Sequence, residues 1–277
     1  MRVFVGLDDI KNLVQPDGKI NKRNWEKCYY SKYKKVFDNM LKYLYFSNLE
    51  TLLQFVENTD FKNLIEKSER AIKEGYIEKI LNLIEKSNKI LKFNGVFDLY
   101  LLVGLSHVDG TAFIGEIPIL YFGLERILDS DINFLVPHEF NHLVREVRVF
   151  KKNVNMASLK FKEYLIFEGL ATYFSIYVND LKIDKESESK ALFLPVEKLD
   201  YLYENEKEIF KEIFLSLDEE MNQNLFMEYF TYDGKDRLKF GYFVGLKIIE
   251  KLAENELKIV DLTNMDSEEI LKIYSKV

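Results

Sequence analysis

Between Pro16 and Pro118 the chain has no proline, and between Gly18 and Gly95 its only glycine is Gly75. Glycine and proline are the residues that most readily end helices, so their scarcity predicts a helical stretch over residues 22–92. Within it Trp25, Tyr29, Tyr33, Val36, Phe37, Met40, Leu41 and Leu44 recur at three- and four-residue steps and share one helical face. Two more helices are expected, over 49–75 with a break near Asp60, and over 76–93. The pattern changes at Gly95. Gly95, Gly104, Gly110, Gly115 and Gly123 bracket the apolar runs 96–105 and 111–122, whose β-branched and aromatic residues suit strands of a small sheet. Helical spacing returns from Asp129 to Phe150, over 159–178 and over 241–252, and Asp266 is placed to cap a short last helix. The charged segment 180–190 is expected to be an exposed loop. These patterns predict an α+β, predominantly helical fold, with a helical region over 1–94 and a second domain over 95–277.

Cys28 is the only cysteine, which excludes a disulfide scaffold and a cysteine-based zinc cluster and fits a reducing compartment. The opening MRVFVGLDDIKN reaches Asp8 and Asp9 too soon for the apolar core of a secretory signal. No stretch approaches the roughly 18 apolar residues of a membrane span. The expectation is a cytoplasmic protein with no membrane partner. A formal charge of -7 argues against nucleic acid as the main partner. Lys19 to Lys35 does carry seven basic residues and one acidic residue among Trp25, Tyr29, Tyr30 and Tyr33, a mixture that could stack on bases. A helix with its aromatic residues inward and its lysines in water explains the same pattern more simply.

The chemistry is concentrated in one place. Of three histidines, two stand in His138-Glu139-Phe140-Asn141-His142, a spacing that chance does not readily produce in so histidine-poor a chain. On a helix, residues i and i+4 share a face, so both imidazoles can reach one metal ion at about 2.0–2.1 Å. Glu139 is turned by roughly 100° from His138, placing it beside the metal as a proton acceptor rather than a ligand. Pro137 predicts a kink just before His138. Apolar neighbours on nearly every side predict a buried helix.

Catalytic zinc usually has three protein ligands. No histidine or cysteine follows His142, so the third must be a carboxylate, Glu163 or Glu168. Lys160 and Lys162 flank Glu163 and suggest a wet face. Glu168 lies in the apolar Leu165-Ile166-Phe167-Glu168-Gly169-Leu170-Ala171, where an unpaired carboxylate is costly, and is the favoured ligand.

His138-Glu139-Phe140-Asn141-His142 followed by Glu168-Gly169-Leu170-Ala171 resembles the gluzincin metallopeptidases. With Gly110-Thr111 before it and Gly241-Tyr242-Phe243-Val244-Gly245 after it, the order is most similar to the bacterial predicted Zn-dependent proteases of the YjaZ type. The resemblance covers residues 95–277. It implies a zincin-like catalytic domain, with Zn2+ held by His138, His142 and Glu168, Glu139 as general base, and a peptide or protein substrate. Zinc would polarise the scissile carbonyl and acidify a water, and a further donor would stabilise the oxyanion. Tyr242 is the candidate for that donor, ahead of Tyr232 and His107. Thermolysin-like relatives hold a zinc-binding imidazole with an Asp four residues after the ligand Glu, where this chain has Thr172. In such peptidases an edge strand pairs with the extended substrate, and Pro118 favours an edge position for the run 111–122. Arg145 and Arg148 could meet a substrate carboxylate or pair within the protein. The contrasting reading is a non-proteolytic zinc-containing regulatory or binding module. The sequence leaves the oligomeric state open.

Overall fold

A computed structural model of the chain describes residues 1–150, 159–232 and 238–277. It divides into two compact units, one of residues 1–82 with 94–132, the other of residues 83–93 with 133–277. No helix among the described residues is long and apolar enough to cross a membrane.

The first unit combines β1 (Arg2–Val5), α1 (Leu7–Lys11) and α2 (Lys22–Asn24) with a π-helical segment, Trp25–Tyr30. Then come α3 (Lys34–Tyr43), α4 (Leu49–Asn58), α5 (Phe61–Lys73) and α6 (Tyr76–Leu91), whose last turns belong to the second unit. The expected break near Asp60 is a helix boundary, because the Asp60 carboxylate accepts from the Lys62 and Asn63 amides and caps α5. The aromatic face is buried at Trp25, Tyr29, Tyr33 and Phe37, whereas Leu44, past the end of α3, is exposed. That face does not lie on one continuous helix. The wider turn of the π-helical segment also brings Tyr30 inside.

Strands β2 (Asp98–Leu102), β3 (Gly110–Phe113) and β4 (Ile119–Gly123) complete a four-stranded sheet of order β1-β2-β4-β3. β1, β2 and β4 are parallel, and β3 is antiparallel to β4. The run 111–122 therefore corrects the expectation of a single edge strand. It is a hairpin whose second strand is internal and fully buried, and β3 alone forms that edge. Pro118 stands just outside the ladder, where its carbonyl accepts from the Asp98 amide and its missing N–H costs nothing. The other edge, β1, is too short and too exposed to leave a periodic signature. It is held by pairing to β2 and by a bidentate bond from Arg2 to Asp98 at 2.6 and 2.7 Å.

The second unit is all-helical among its described residues. α7 (Ile132–Arg145) continues as a π-helical segment, Glu146–Phe150. There follow α8 (Phe161–Val178), α9 (Lys185–Leu192), α10 (Val196–Glu204), α11 (Glu206–Leu215), α12 (Gln223–Tyr229), α13 (Phe240–Glu254), α14 (Ile259–Asn264) and α15 (Ser267–Tyr274). α8 is buried on every side from Leu165 to Ala171, as a central helix must be. It crosses α13 backbone to backbone at Gly169 and Gly245. A Cβ on Gly245 would lie 2.9 Å from Gly169 Cα and closer still to the Leu165 carbonyl oxygen, so only glycine permits this approach.

The segment 180–190 is not a loop throughout. Asp184 and Ser187 form a reciprocal cap that starts α9. Glu188 turns inward to Lys247 at 2.6 Å and to the Tyr203 hydroxyl at 2.6 Å. Its charge marks a buried ion pair rather than a wet face.

Candidate metal centre

α7 and α8 supply the site. Its buried setting follows from the apolar residues that surround the motif on α7, Phe140, Leu143 and Val144 all being inaccessible. His138 and His142, one turn apart, lie with their ring centroids 4.5 Å apart and their planes at 87°. Each Nε2 stands 3.2 Å from the same oxygen, Glu168 Oε2. All three side chains are buried, and their ligand atoms lie within 4.8 Å of one another. Four tetrahedral ligands at 2.0–2.1 Å would stand about 3.3 Å apart, a spacing the two imidazole–carboxylate separations match, so these three donors could hold a metal ion. Phe167 stacks on His142, with ring centroids 3.8 Å apart, and fixes that ring from the side.

Burial alone would raise the Glu168 carboxyl, but the charge of His142 and hydrogen bonds from both imidazoles hold it well below the ordinary carboxylate range. The far nitrogens tell a second story. Nδ1 of both His138 and His142 is buried without a hydrogen-bond partner among the described residues. Thr172 Oγ1, one turn beyond Glu168, is buried and unpartnered as well. The expected partner for each imidazole is therefore not found among the described side chains.

The rival carboxylate, Glu163, serves elsewhere, accepting from the Lys160 amide at 2.8 Å as the cap of α8. Glu139 is buried on α7 beside the cluster but is not part of it. Tyr242, on the first turn of α13, stacks at 6.1 Å from His138 and is partly exposed. Burial, then the charges of Glu168 and Glu139, raise its phenol well above the ordinary value, so it remains a hydrogen-bond donor. Tyr232 is exposed and pairs with Leu238 through a backbone bridge. His107 lies in the first unit, exposed, with its ring edge-on to Tyr45 and Phe55.

Arg145 is fully buried. Its guanidinium donates to the carbonyls of Leu262, Thr263 and Met265 and to Ser267 Oγ, at 2.7–3.4 Å, closing the carboxyl end of α14. Arg148 binds Asn264 and the carbonyls of Leu91 and Lys92. Both are structural anchors, which corrects any assignment of them to a substrate carboxylate.

Two residues beside the cluster went unnoticed in the sequence. Glu146, one turn past His142, is buried, and its Oε2 has no partner among the described residues. Burial and the charge of Glu139 push its carboxyl up to about 8. Tyr164, one turn before Glu168, is pushed up to about 12 by burial, Glu168 and Glu146. Their spacing from the motif residues was the available signal, and neither residue type announces itself at that spacing.

The fold and the side chains thus define a mostly helical protein with a buried His-His-Glu cluster able to hold a divalent ion. Residues 62–180, which include all three of those side chains and Glu139, match the family described as Predicted Zn-dependent protease (DUF2268). Neither the curated proteins nor the solved structures contain a match to the chain.

Proposed function

We propose that this protein is a zinc-dependent peptide hydrolase of the gluzincin kind, with His138, His142 and Glu168 as ligands. The observation that carries the proposal is the approach of two imidazole Nε2 atoms to a single carboxylate oxygen at 3.2 Å each. Zinc held there supplies Lewis acidity toward a carbonyl oxygen and toward water. Glu139 accepts a proton from the attacking water as its oxygen bonds to the carbonyl carbon. The same carboxyl then gives that proton to the amine nitrogen as the carbon–nitrogen bond breaks. Tyr242, kept protonated by its surroundings, donates a hydrogen bond to the oxygen that gains charge. The burial of Trp25, Tyr29, Tyr30 and Tyr33 favours the hydrolase over a nucleic-acid-binding module, because those rings are not available to stack on bases.

The test is metal analysis together with peptide cleavage. Wild-type protein should carry about one zinc per chain, and His138→Ala, His142→Ala and Glu168→Ala should each lose it. Glu139→Gln should keep the metal and lose cleavage of a mixed peptide pool followed by mass spectrometry. Full cleavage by Glu139→Gln, or zinc retained in all three ligand variants, defeats the proposal.

A further inference from the structure

Around the cluster, four rings from three different parts of the second unit join into one wall. Tyr242 stacks on His138 at 6.1 Å and meets Phe230 edge-on at 5.9 Å. Phe230, just past α12, stacks against Phe226 at 6.2 Å. Tyr164 on α8 closes the set, 6.0 Å from Phe230 and 6.3 Å from Phe226. Tyr242 against His138, and Tyr164 one turn before Glu168 on α8, bring this end of the wall beside the metal ligands.

The wall is not sealed into the core. Phe230 is buried and backs it, but Phe226 is 37% exposed, and Tyr164 and Tyr242 are partly exposed. The wall runs from Tyr242, against His138, through Phe230 to Phe226, where its aromatic surface is left uncovered. An exposed phenylalanine held among rings has apolar area left to bury. Charge beside the wall is mixed, with Lys239 Nζ 5.1 Å from the centre of the Tyr242 ring and acidic residues grouped about Tyr229, beyond Phe161.

We propose that Tyr164, Phe226, Phe230 and Tyr242 form the side-chain subsite of the hydrolase, taking an aromatic or large aliphatic residue near the scissile bond. The inference rests on the hydrolase reading and adds the substrate class to it. Phe226 is its exposed contact and so the residue whose removal is least damaging to the fold.

The test uses one peptide series, identical except for Phe, Leu, Ala or Asp on either side of the central bond. Wild-type protein should favour Phe and Leu over Ala and Asp by about tenfold or more in kcat/KM. Phe226→Ala should bring the Phe-to-Ala ratio to within about threefold at unchanged zinc content. Phe214→Ala, an exposed ring outside the wall, should leave the ratio intact. Binding of the same peptides to Glu139→Gln, followed by fluorescence, separates the two claims. Cleavage without side-chain preference, or a preference that survives in both Phe226→Ala and Tyr164→Ala, overturns the subsite and leaves the hydrolase standing. Peptides that bind with the Phe preference, lose it in Phe226→Ala and are never cleaved support the subsite and remove the hydrolase. Failure to bind or cleave any of them removes both.

Discussion

Replacing Gly245 by alanine tests whether the crossing of α8 and α13 holds Tyr242 in place. The added methyl would stand 2.9 Å from Gly169 Cα and 3.0 Å from Gly169 N, and closer still to the Leu165 carbonyl oxygen, where ordinary contact begins near 3.4 Å. All three obstacles are backbone atoms, so no side chain can turn aside and the helices must part. Overpacking of this kind costs about 1–3 kcal/mol, and a rigid backbone on the facing side puts the cost at the upper end. Alanine in place of glycine inside a helix returns about 1 kcal/mol. The net expectation is a loss of about 2 kcal/mol, read as a lower urea midpoint at unchanged slope. Tyr242 lies one turn ahead of Gly245 on the same helix, so a shift on the order of 1 Å would also cost up to about a hundredfold in peptide cleavage. Zinc content should stay near one per chain, because no ligand lies on α13. Lys251→Ala, on the exposed face of α13, is the control for composition. A Gly245→Ala protein as stable as the parent, or more stable, would refute the reasoning, because propensity alone predicts that sign.

Other expectations follow from buried charge. The Glu146 carboxyl is raised from 4.5 to about 8 in the folded protein, so the folded state holds this proton more tightly than the unfolded chain. Its contribution therefore lowers stability as pH rises through that window and levels off above it. In metal-free protein, Glu146→Gln should gain stability relative to wild type between pH 5 and pH 8, by a few kcal/mol at most, and a difference independent of pH in denaturant titrations would disprove the assignment. Arg145→Met should cost about 3 kcal/mol, because three carbonyls and Ser267 lose a charged donor. The same variant should leave the KM of acidic peptides unchanged, whereas a role in substrate binding would raise it.

The helical stretch over 22–92 and the buried α7 were legible because both are written locally, the first in missing glycine and proline, the second in apolar residues on every side. The approach of His138 to His142 was legible because one helical turn brings the two imidazoles together without help from the rest of the chain. Choosing Glu168 over Glu163 required only the contrast between an apolar neighbourhood and a lysine-flanked one, and the cap formed by Glu163 gives that contrast a physical cause. What depends on distant partners was not legible. Segment 180–190 is solvated at most of its charged residues, as it reads, but Glu188 turns inward to Lys247 from α13. Arg145 reads as pairing with a nearby carboxylate, whereas its partners are the carbonyls at the end of α14 and Ser267. β1 is stabilised by its pairing to β2, for which four residues carry no periodic signal. The ring wall likewise draws on α8, the end of α12 and α13, and no spacing along the chain connects Tyr164 to Phe226 or Tyr242.

Glu168, Glu139 and Glu146 bring three carboxyl groups to buried positions on α7, its π-helical continuation and α8. The buried cation of α7, Arg145, is committed to α14. Burying a carboxylate costs several kcal/mol unless positive charge offsets it, and imidazoles that ligate a metal do so as neutral donors, so the charge must come from the ion. A divalent cation between His138, His142 and Glu168 removes that deficit, so metal and fold should be coupled. Stabilisation by a ligand that binds only the folded state grows as RT ln(1 + [L]/Kd), about 4.1 kcal/mol at a thousandfold excess over Kd. Chelation should accordingly lower the thermal midpoint by several degrees, zinc should restore it, and the gain should grow with the logarithm of free zinc. His142→Ala should start near the chelated midpoint and not respond to zinc. Equal midpoints for chelated and zinc-supplemented wild-type protein would mean that the cluster balances its charge without a cation, and the metal assignment would fall with it.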